Sequence, residues 1–402
     1  MPLRKNALYI SPYFWPEEIG SAPYSYDLAK YIDSKGYDVS VVAFMPHYPK
    51  IEDYAEWSSE DDLRVEGQIS IERVGVSARG TGGFLGRVKN DLGMLFRLLK
   101  LAVGRQHTSA DVIIAYIPGV LTLFGAKAIK LTAKAPIVGI VHDIESGLAN
   151  SLGITDNRVL LKFMQLVERV GLNFCDEVIV LTEGMKLELE SIGCTAPIMV
   201  LPIWSEVWAY NEIDVKERMT VMYSGNFGKK QNLDQLLPLF SKLEEGSRGP
   251  EIIMRGGGSE RIRIENEVKA RGLSNLRFAP LAPADQFVQS LQSANVHLVP
   301  QAMNVANYAL PSKLISIMAA GRPYVCIAEK GSPLERFTID SKAGICVHPG
   351  DELGLYEAVD ALLNDIEMQR AMGKAGRDFV SKKFSRQKIL NSYLDVLQQL
   401  NG

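Results

Sequence analysis

The chain has 402 residues, 47% of them hydrophobic and 23% charged, with a net charge of −3; this is material for two cores, in an ordinary soluble composition. Nothing in that balance calls for a nucleic-acid partner. Four cysteines and five histidines are scattered without metal-ligand spacing, which argues against a disulfide framework or a zinc site and fits a reducing cytoplasm.

The opening segment MPLRKNALYISPYF has too short an apolar run for a signal peptide and reads as a first strand. No run of about 18 apolar residues occurs, so no spanning helix is expected. Asn6 to Ser11 forms that strand, closed by Pro12, and Gly20 to Lys35 has helical spacing ending at Gly36. A buried strand follows at 39–44, then an acidic, irregular excursion at 51–66 and a strand at 69–76. Residues 83–106 form a basic amphipathic helix. Strands at 111–117, 136–142, 177–182 and 198–202 then alternate with helices at 119–134, 156–174 and 183–192. Repeated β-α-β units with Val/Ile-rich strands predict a parallel sheet covered on both faces.

The rhythm breaks over 203–218 and restarts. The second half reads as strands at 220–227, 251–258, 275–280, 295–300 and 323–328. Its helices lie at 232–244, 259–272, 284–293, 312–320, 332–341, 351–364 and 366–383, with a last helix at 386–400. The expected organisation is an α/β chain with an N-terminal Rossmann-like domain over 1–205 and a second over 206–385. Residues 386–402 pack back on the first. No internal sequence repeat is evident.

Ligands of open parallel sheets bind past the carboxyl ends of strands, where helix N-termini favour anions. Five segments fall there. Gly20, Ser21 and Ala22 make a small-residue turn that opens a helix without the dinucleotide fingerprint; a plain strand-helix turn is the alternative. In SGNFGKKQNL (224–233), Gly225 and Gly228 bracket Asn226, and Lys229 and Lys230 follow. Bare amides and a cation suit a diphosphate, although a solvated lysine pair would look the same. In LPSKLISIMAAGRP, Ser312 is a candidate N-cap, and Lys313 sits in the first turn, where a cation opposes the helix dipole unless an anion is bound. Glu335 of GSPLERF, unpaired in the sequence, suits ribose hydroxyls or merely complements the dipole. His142 and Asp143 end an apolar strand and suit substrate hydroxyls or proton transfer.

These stretches resemble glycosyltransferase family 4 on the two-domain GT-B fold, closest to the bacterial polysaccharide, O-antigen, colanic-acid and fucosamine-transferring kind. The resemblance runs nearly the whole chain, through PYFWPEEIGSAPYSYDLAKYIDSKGYDVSVV, YSGNFGKKQNLD, RGGGSERIRIENEVKARGLSNLRFAPL and LPSKLISIMAAGRP. It implies two Rossmann-like domains with parallel sheets facing a central cleft. It implies a retaining transfer from a nucleoside-diphosphate sugar, UDP-linked as is commonest, to a glycan or lipid-linked acceptor, with no metal and no cofactor. Carried over by position, it puts Gly20 and Ser21 near the donor diphosphate and His142, with Asp143 beside it, at the donor sugar. Gly225, Asn226 and Lys230 approach the phosphates, and the backbone around Arg277 and Phe278 holds the base. Ser312, Lys313 and Leu314 present amides and a charge to the diphosphate, and Glu335 lies near the ribose. The chain departs from the family's Glu-x7-Glu pair, with Tyr308 and Ser316 at those positions, and has Ile144-Glu145 where relatives often have Trp-Pro.

The leaving diphosphate would be stabilised by Lys230, Lys313 and helix N-termini. A sugar-nucleotide epimerase shares fold and site but needs paired carboxylates, for which only Asp143, Glu145 and Glu183 are candidates. A non-catalytic nucleotide-sugar-binding protein fits the missing Glu pair. The basic stretch 83–106, with Arg87, Lys89, Arg97, Lys100 and Arg105 opposed only by Asp91, suits either an ordinary core-covering helix or a membrane surface. The expected location is cytoplasmic, peripheral on the inner membrane.

Overall fold

The computed structural model describes residues 4–17, 20–47, 54, 57, 64–66, 69–76, 83–117, 119–147, 157–208, 213, 218–244, 249–303 and 312–400, with the backbone alone at 64–66, 83–85, 87, 284 and 312. The chain forms two compact units, Met1–Pro202 with Gln387–Gly402, and Ile203–Arg386. Among the described residues no helix is long and apolar enough to cross a membrane.

Unit 1 runs β1 (Lys5–Ile10), α1 (Ala22–Ser34), β2 (Tyr37–Phe44), β3 (Arg64–Glu66), β4 (Ile69–Val74), α2 (Gly83–Val103), β5 (Val112–Ile117), α3 (Leu121–Ala133), β6 (Ile137–Val141), α4 (Arg158–Leu172), β7 (Glu177–Val180), α5 (Glu183–Ser191) and β8 (Ile198–Val200). The strand order is β3-β4-β2-β1-β5-β6-β7-β8. All neighbours are parallel except β3, which pairs antiparallel with β4. The acidic excursion at 51–66 thus ends in a short edge strand; most of it lies outside the described residues. Every residue of VIIAYI in β5 is buried, because a central strand with helices on both faces has no solvent side.

The chain leaves β1 toward β2 in one direction and passes from β4 to β5 in the other, so the topological switch lies between β1 and β5. The crossovers carrying α2, α3 and α4 all step the same way, and right-handed connection lays these helices on one face of the sheet; α1 lies on the other. Glycines set their spacing. A Cβ at Gly125 of α3 would stand 2.5 Å from Leu98 Cβ of α2, and one at Gly171 of α4 would stand 2.8 Å from Val120. The last helix, α13 (Arg386–Leu400), buries Ile389, Leu390, Tyr393, Val396 and Leu397. Its Asn391 Oδ1 accepts a hydrogen bond from the Tyr31 hydroxyl of α1.

Unit 2 runs β9 (Thr220–Ser224), α6 (Leu237–Glu244), β10 (Glu251–Arg255), α7 (Arg261–Ala270), β11 (Leu276–Ala279), α8 (Phe287–Gln292), β12 (Val296–Pro300), α9 (Ser312–Ala319), β13 (Tyr324–Ile327), α10 (Pro333–Ser341), β14 (Gly344–Val347), α11 (Glu352–Asn364) and α12 (Ile366–Lys383). The sheet order is β11-β10-β9-β12-β13-β14, all parallel, with the switch between β9 and β12. Three expectations need correction. The sequence predicts no strand where β14 forms. The helix expected from 232 begins as a 3-10 turn at Leu233–Leu236, after Asn232 takes a left-handed conformation (φ 46°). The helix expected from 284 likewise opens with a 3-10 turn, Ala284–Gln286.

Candidate functional site

In unit 2 the loops leaving β9 and β12 flank the switch point. Two further glycines let the loops after β9 and β10 close on each other. Gly256 and Gly258 have φ of 132° and 144°. Their Cβ atoms, if present, would lie 1.9 Å from the Gly225 oxygen and 2.3 Å from Asn226 Oδ1. The close approach is fixed by Gly225 N–H donating to the Arg255 carbonyl (3.0 Å) and Phe227 N–H donating to that of Gly257 (2.7 Å). The Tyr223 hydroxyl donates to the Asn226 carbonyl at 2.6 Å. Across the switch, Ala302 N–H donates to the Lys230 carbonyl (2.8 Å), tying the lysine-bearing loop to the end of β12.

Lys313 is the unusual group. It stands in the first turn of α9, and its Nζ is buried and has no hydrogen-bond partner among the described residues. The ammonium sits 4.3 Å from the Tyr223 ring centroid. A Cβ on Gly225 would lie 3.5 Å from Lys313 Cδ and 3.7 Å from Nζ. Burial pushes its pKa down to about 7. A cation that is desolvated, unpaired and set at the positive end of a helix is unfavourable on three counts. A bound anion pairs the charge and offsets the other two costs. Arg255, at the end of β10, is not among the residues expected from the sequence; its Nε is also buried without a partner among the described residues, and burial and then Arg277 lower its pKa. An arginine opening the glycine run RGGG was the available signal.

The other predicted residues of this unit fall as follows. Asn226 is exposed and Lys230 half-buried. Ser312 is the first residue of α9 rather than its cap, and Leu314 is fully buried in the core. Arg277 lies on the edge strand β11, ion-paired to Glu251 at 2.5 Å. Phe278 packs near Phe227, with the Arg261 guanidinium 4.8 Å from its centroid. Glu335, unpaired in the sequence, is engaged in the structure. Ser332 Oγ accepts from Glu335 N–H (3.2 Å), and the Glu335 carboxylate accepts from Gly331 N–H, a reciprocal cap for α10. Its other oxygen lies 3.7 Å from His348 Nε2.

In unit 1 the switch point carries a buried polar chain. Tyr9 of β1 and Tyr116 of β5 stack with centroids 6.4 Å apart. Ser25 Oγ donates to the Tyr9 hydroxyl (3.4 Å) and shares a 2.6 Å hydrogen bond with Ser11. Tyr116 is hydrogen-bonded to His142 Nε2, the rings 4.6 Å apart. Burial pushes the His142 pKa down to about 3 and raises that of Tyr116. Burial thus favours the neutral form of both groups, which suits the His142 ring to hydrogen bonding rather than to carrying charge. Tyr116 was missed because a tyrosine inside a buried strand reads as core. Asp143 lines a recess with Ile144, Glu145 and Glu168. Gly20 takes φ 69°, and Ser21 precedes α1 without a side-chain cap bond. Past β1, β2 and β4, Trp15 and Trp57 meet edge-on at 5.3 Å, and the Arg73 guanidinium lies 5.3 Å from the Trp57 centroid.

Comparison with known proteins adds three findings. The profile described as Glycosyl transferases group 1 matches residues 210–379, and that described as Glycosyl transferase 4-like domain matches residues 20–204. The chain is 27% identical to the putative colanic acid biosynthesis glycosyl transferase WcaI of Escherichia coli, over 95% of this chain and 97% of that one. It is 24% identical to the O-antigen chain mannosyltransferase C of Escherichia coli, over 39% and 41% of the respective chains. Among solved structures, sucrose-phosphate synthase from Thermosynechococcus elongatus superposes with TM-score 0.80 at 17% identity, covering 99% of both chains. HepE of Anabaena in complex with UDP-glucose superposes with TM-score 0.71 at 13% identity, covering 98% of this chain and 99% of that one.

Proposed function

The chain belongs to the family 4 type of glycosyltransferases, on the GT-B fold, of bacterial polysaccharide biosynthesis, and from that premise we propose that it moves a sugar from a UDP-sugar to a glycan or lipid-linked acceptor with retention of configuration. The observation that carries the donor site is the buried, unpartnered ammonium of Lys313 beside the Gly225 backbone. A diphosphate there accepts the lysine charge, the first free amides of α9 and the amides of the loop after β9. Asn226, Lys230 and Arg255 are assigned to the same phosphates, and the backbone at Arg277 and Phe278 to the base. UDP is proposed as the nucleotide because a fold relative is solved with UDP-glucose.

Charge develops on the departing diphosphate in the transition state. A preorganised cation in a dry site stabilises that charge more than it stabilises the ground state. No carboxylate of this chain is assigned as a nucleophile. Retention then proceeds by same-face attack: the acceptor oxygen bonds to the anomeric carbon as the bond to the diphosphate oxygen breaks, and the acceptor proton passes to that oxygen. In unit 1 the neutral His142, held by Tyr116, is assigned to sugar hydroxyls, with Gly20, Ser21 and Asp143 in adjoining loops. The half-buried Trp15 ring, met edge-on by the buried Trp57, suits the apolar face of an acceptor glycan. A contact of 83–106 with the inner membrane surface would bring a lipid-linked acceptor within reach.

A thermal-shift screen against UDP, GDP, ADP and CMP and their sugars tests the donor reading. The expected outcome is selective stabilisation by UDP and its sugars, through binding linkage. Equal indifference to all of them would remove the donor site.

A further inference from the structure

Two helices on the same face of the unit 1 sheet carry an apolar stripe on the wrong side. In α2 the exposed large hydrophobics are Leu92, Phe96, Leu99 and Val103; in α4 they include Val159, Phe163, Leu166 and Val170. Both sets follow the spacing 4-3-4, which confines each to a stripe roughly 60° wide. The stripes lie opposite the buried residues of their own helices, Met94, Leu98 and Leu101 in α2 and Glu168, Gly171 and Leu172 in α4. Hence they point away from the sheet. Phe96 is 67% exposed, Val103 87%, Val159 77% and Phe163 60%. A surface helix ordinarily turns its apolar side to the core and polar residues outward; here the outward side is apolar as well.

The charges on these helices sort by sign. Each helix has a single acidic residue, and each is turned inward. Asp91 of α2 faces the start of α3, its carboxylate 2.7 Å from where a Gly119 Cβ would be. Glu168 of α4 is buried and accepts from Ser146 N–H (2.9 Å) and from its hydroxyl. The exposed charges are all basic: Lys89 and Lys100 on α2, and Arg158, Lys162 and Arg169 on α4. They flank the stripes, within snorkelling reach of a plane that touches the apolar residues. Between the two helices, α3 adds the exposed Leu131.

We propose that the outer faces of α2 and α4 together form one docking surface for an anionic phospholipid bilayer. The apolar stripes enter the headgroup–acyl boundary, and the lysines and arginines meet lipid phosphates. This extends the contact proposed for 83–106 to a second helix that sequence reading assigned only as a sheet cover. It rests on unit 1 geometry and not on the donor site.

Vesicle flotation at low salt tests it, with phosphatidylglycerol-containing vesicles compared against pure phosphatidylcholine. The unaltered protein is expected to float with the anionic vesicles only. Phe163→Glu combined with Leu166→Glu, and separately Phe96→Glu, should each lower the bound fraction about tenfold or more. Lys162→Glu should lower it less and flatten its salt dependence. All these side chains are exposed, so melting temperature and the UDP thermal shift should stay as in the unaltered protein. That separates this proposal from the donor reading. Phe163→Trp gives a second readout: its added indole emission should shift to the blue and be quenched by brominated phosphatidylglycerol. An α4 double variant that floats normally, or an added indole that brominated lipid leaves unquenched, would overturn the role of α4. So would self-association in sedimentation that the α4 variants abolish while the unaltered protein ignores vesicles, since the stripe would then cover a second copy of the chain.

Discussion

Lys313 puts the donor reading into one titratable group. Its pKa, held near 7 by burial, means that the free site is charged below pH 7 and neutral above it. A bound diphosphate favours the charged form and raises the pKa again. Binding above pH 7 therefore takes up a proton, and UDP affinity should fall as pH rises from 7 to 9, up to about tenfold per pH unit. Calorimetry at pH 8 in buffers of different ionisation enthalpy should report close to one proton taken up; a pH-independent Kd with no proton uptake would take Lys313 off the phosphates. Lys313→Ala should remove this pH dependence and lower kcat by about 10²–10³, read in a transfer assay. Tyr116→Phe addresses the other unit. It removes the hydroxyl bonded to His142 and should lower kcat/KM while leaving the UDP thermal shift unchanged. The His142 ring nitrogen shifts in a 15N NMR spectrum should move at the same time. A merely structural tyrosine would leave those shifts in place. Lys313 was legible in the sequence because a cation in a helix's first turn breaks a local rule. Tyr116 was not, because nothing in VIIAYI distinguishes a positioning phenol from a packing ring.

Elements were legible where they are long and periodic. The buried strands of both sheets announce themselves by runs of Val and Ile, and the long helices by their spacing; in the structure Asp351 and Asp365 cap two of them, their carboxylates accepting from Gly354 and Met368 N–H (2.9 Å each). β14 was missed because GICV is four residues with one β-branched pair and a glycine at its start. That glycine is required by packing, since a Cβ at Gly344 would lie 2.3 Å from the Tyr324 carbonyl oxygen. The same logic governs the loops at the donor site. Gly258 combines a left-handed φ with a Cβ position 2.3 Å from Asn226 Oδ1 and 2.5 Å from the Phe227 carbonyl oxygen. Gly258→Ala must therefore pull the loop after β10 away from that after β9. We expect a loss of about 2 kcal/mol or more in unfolding free energy, measured by urea titration. UDP affinity should fall with it, although residue 258 carries no charge or side chain of its own. A variant as stable as the parent would mean that the two loops are not held together by this approach.

At the scale of the whole molecule, each half of the sequence repeats an architecture without repeating a sequence, and the last helix returns to the first half. α13 buries five apolar side chains and joins α1 through Tyr31, Asn391 and Gln387. At about 1.5–3 kcal/mol for each fully buried large side chain, its removal costs unit 1 on the order of 10 kcal/mol, comparable with the whole stability of a domain. Deleting residues 387–402 should therefore unfold unit 1 at ordinary temperature while leaving unit 2, whose core lies in Ile203–Arg386, intact. Differential scanning calorimetry of the truncated chain should retain one transition. UDP should still raise that transition if the phosphates are held by Lys313 and its neighbours alone. Transfer activity should be lost, because His142 belongs to the unit that has unfolded. A truncated chain that keeps both transitions would show that α13 is an accessory. One that keeps a transition blind to UDP would show that the nucleotide needs unit 1 as much as the glycine loops of unit 2.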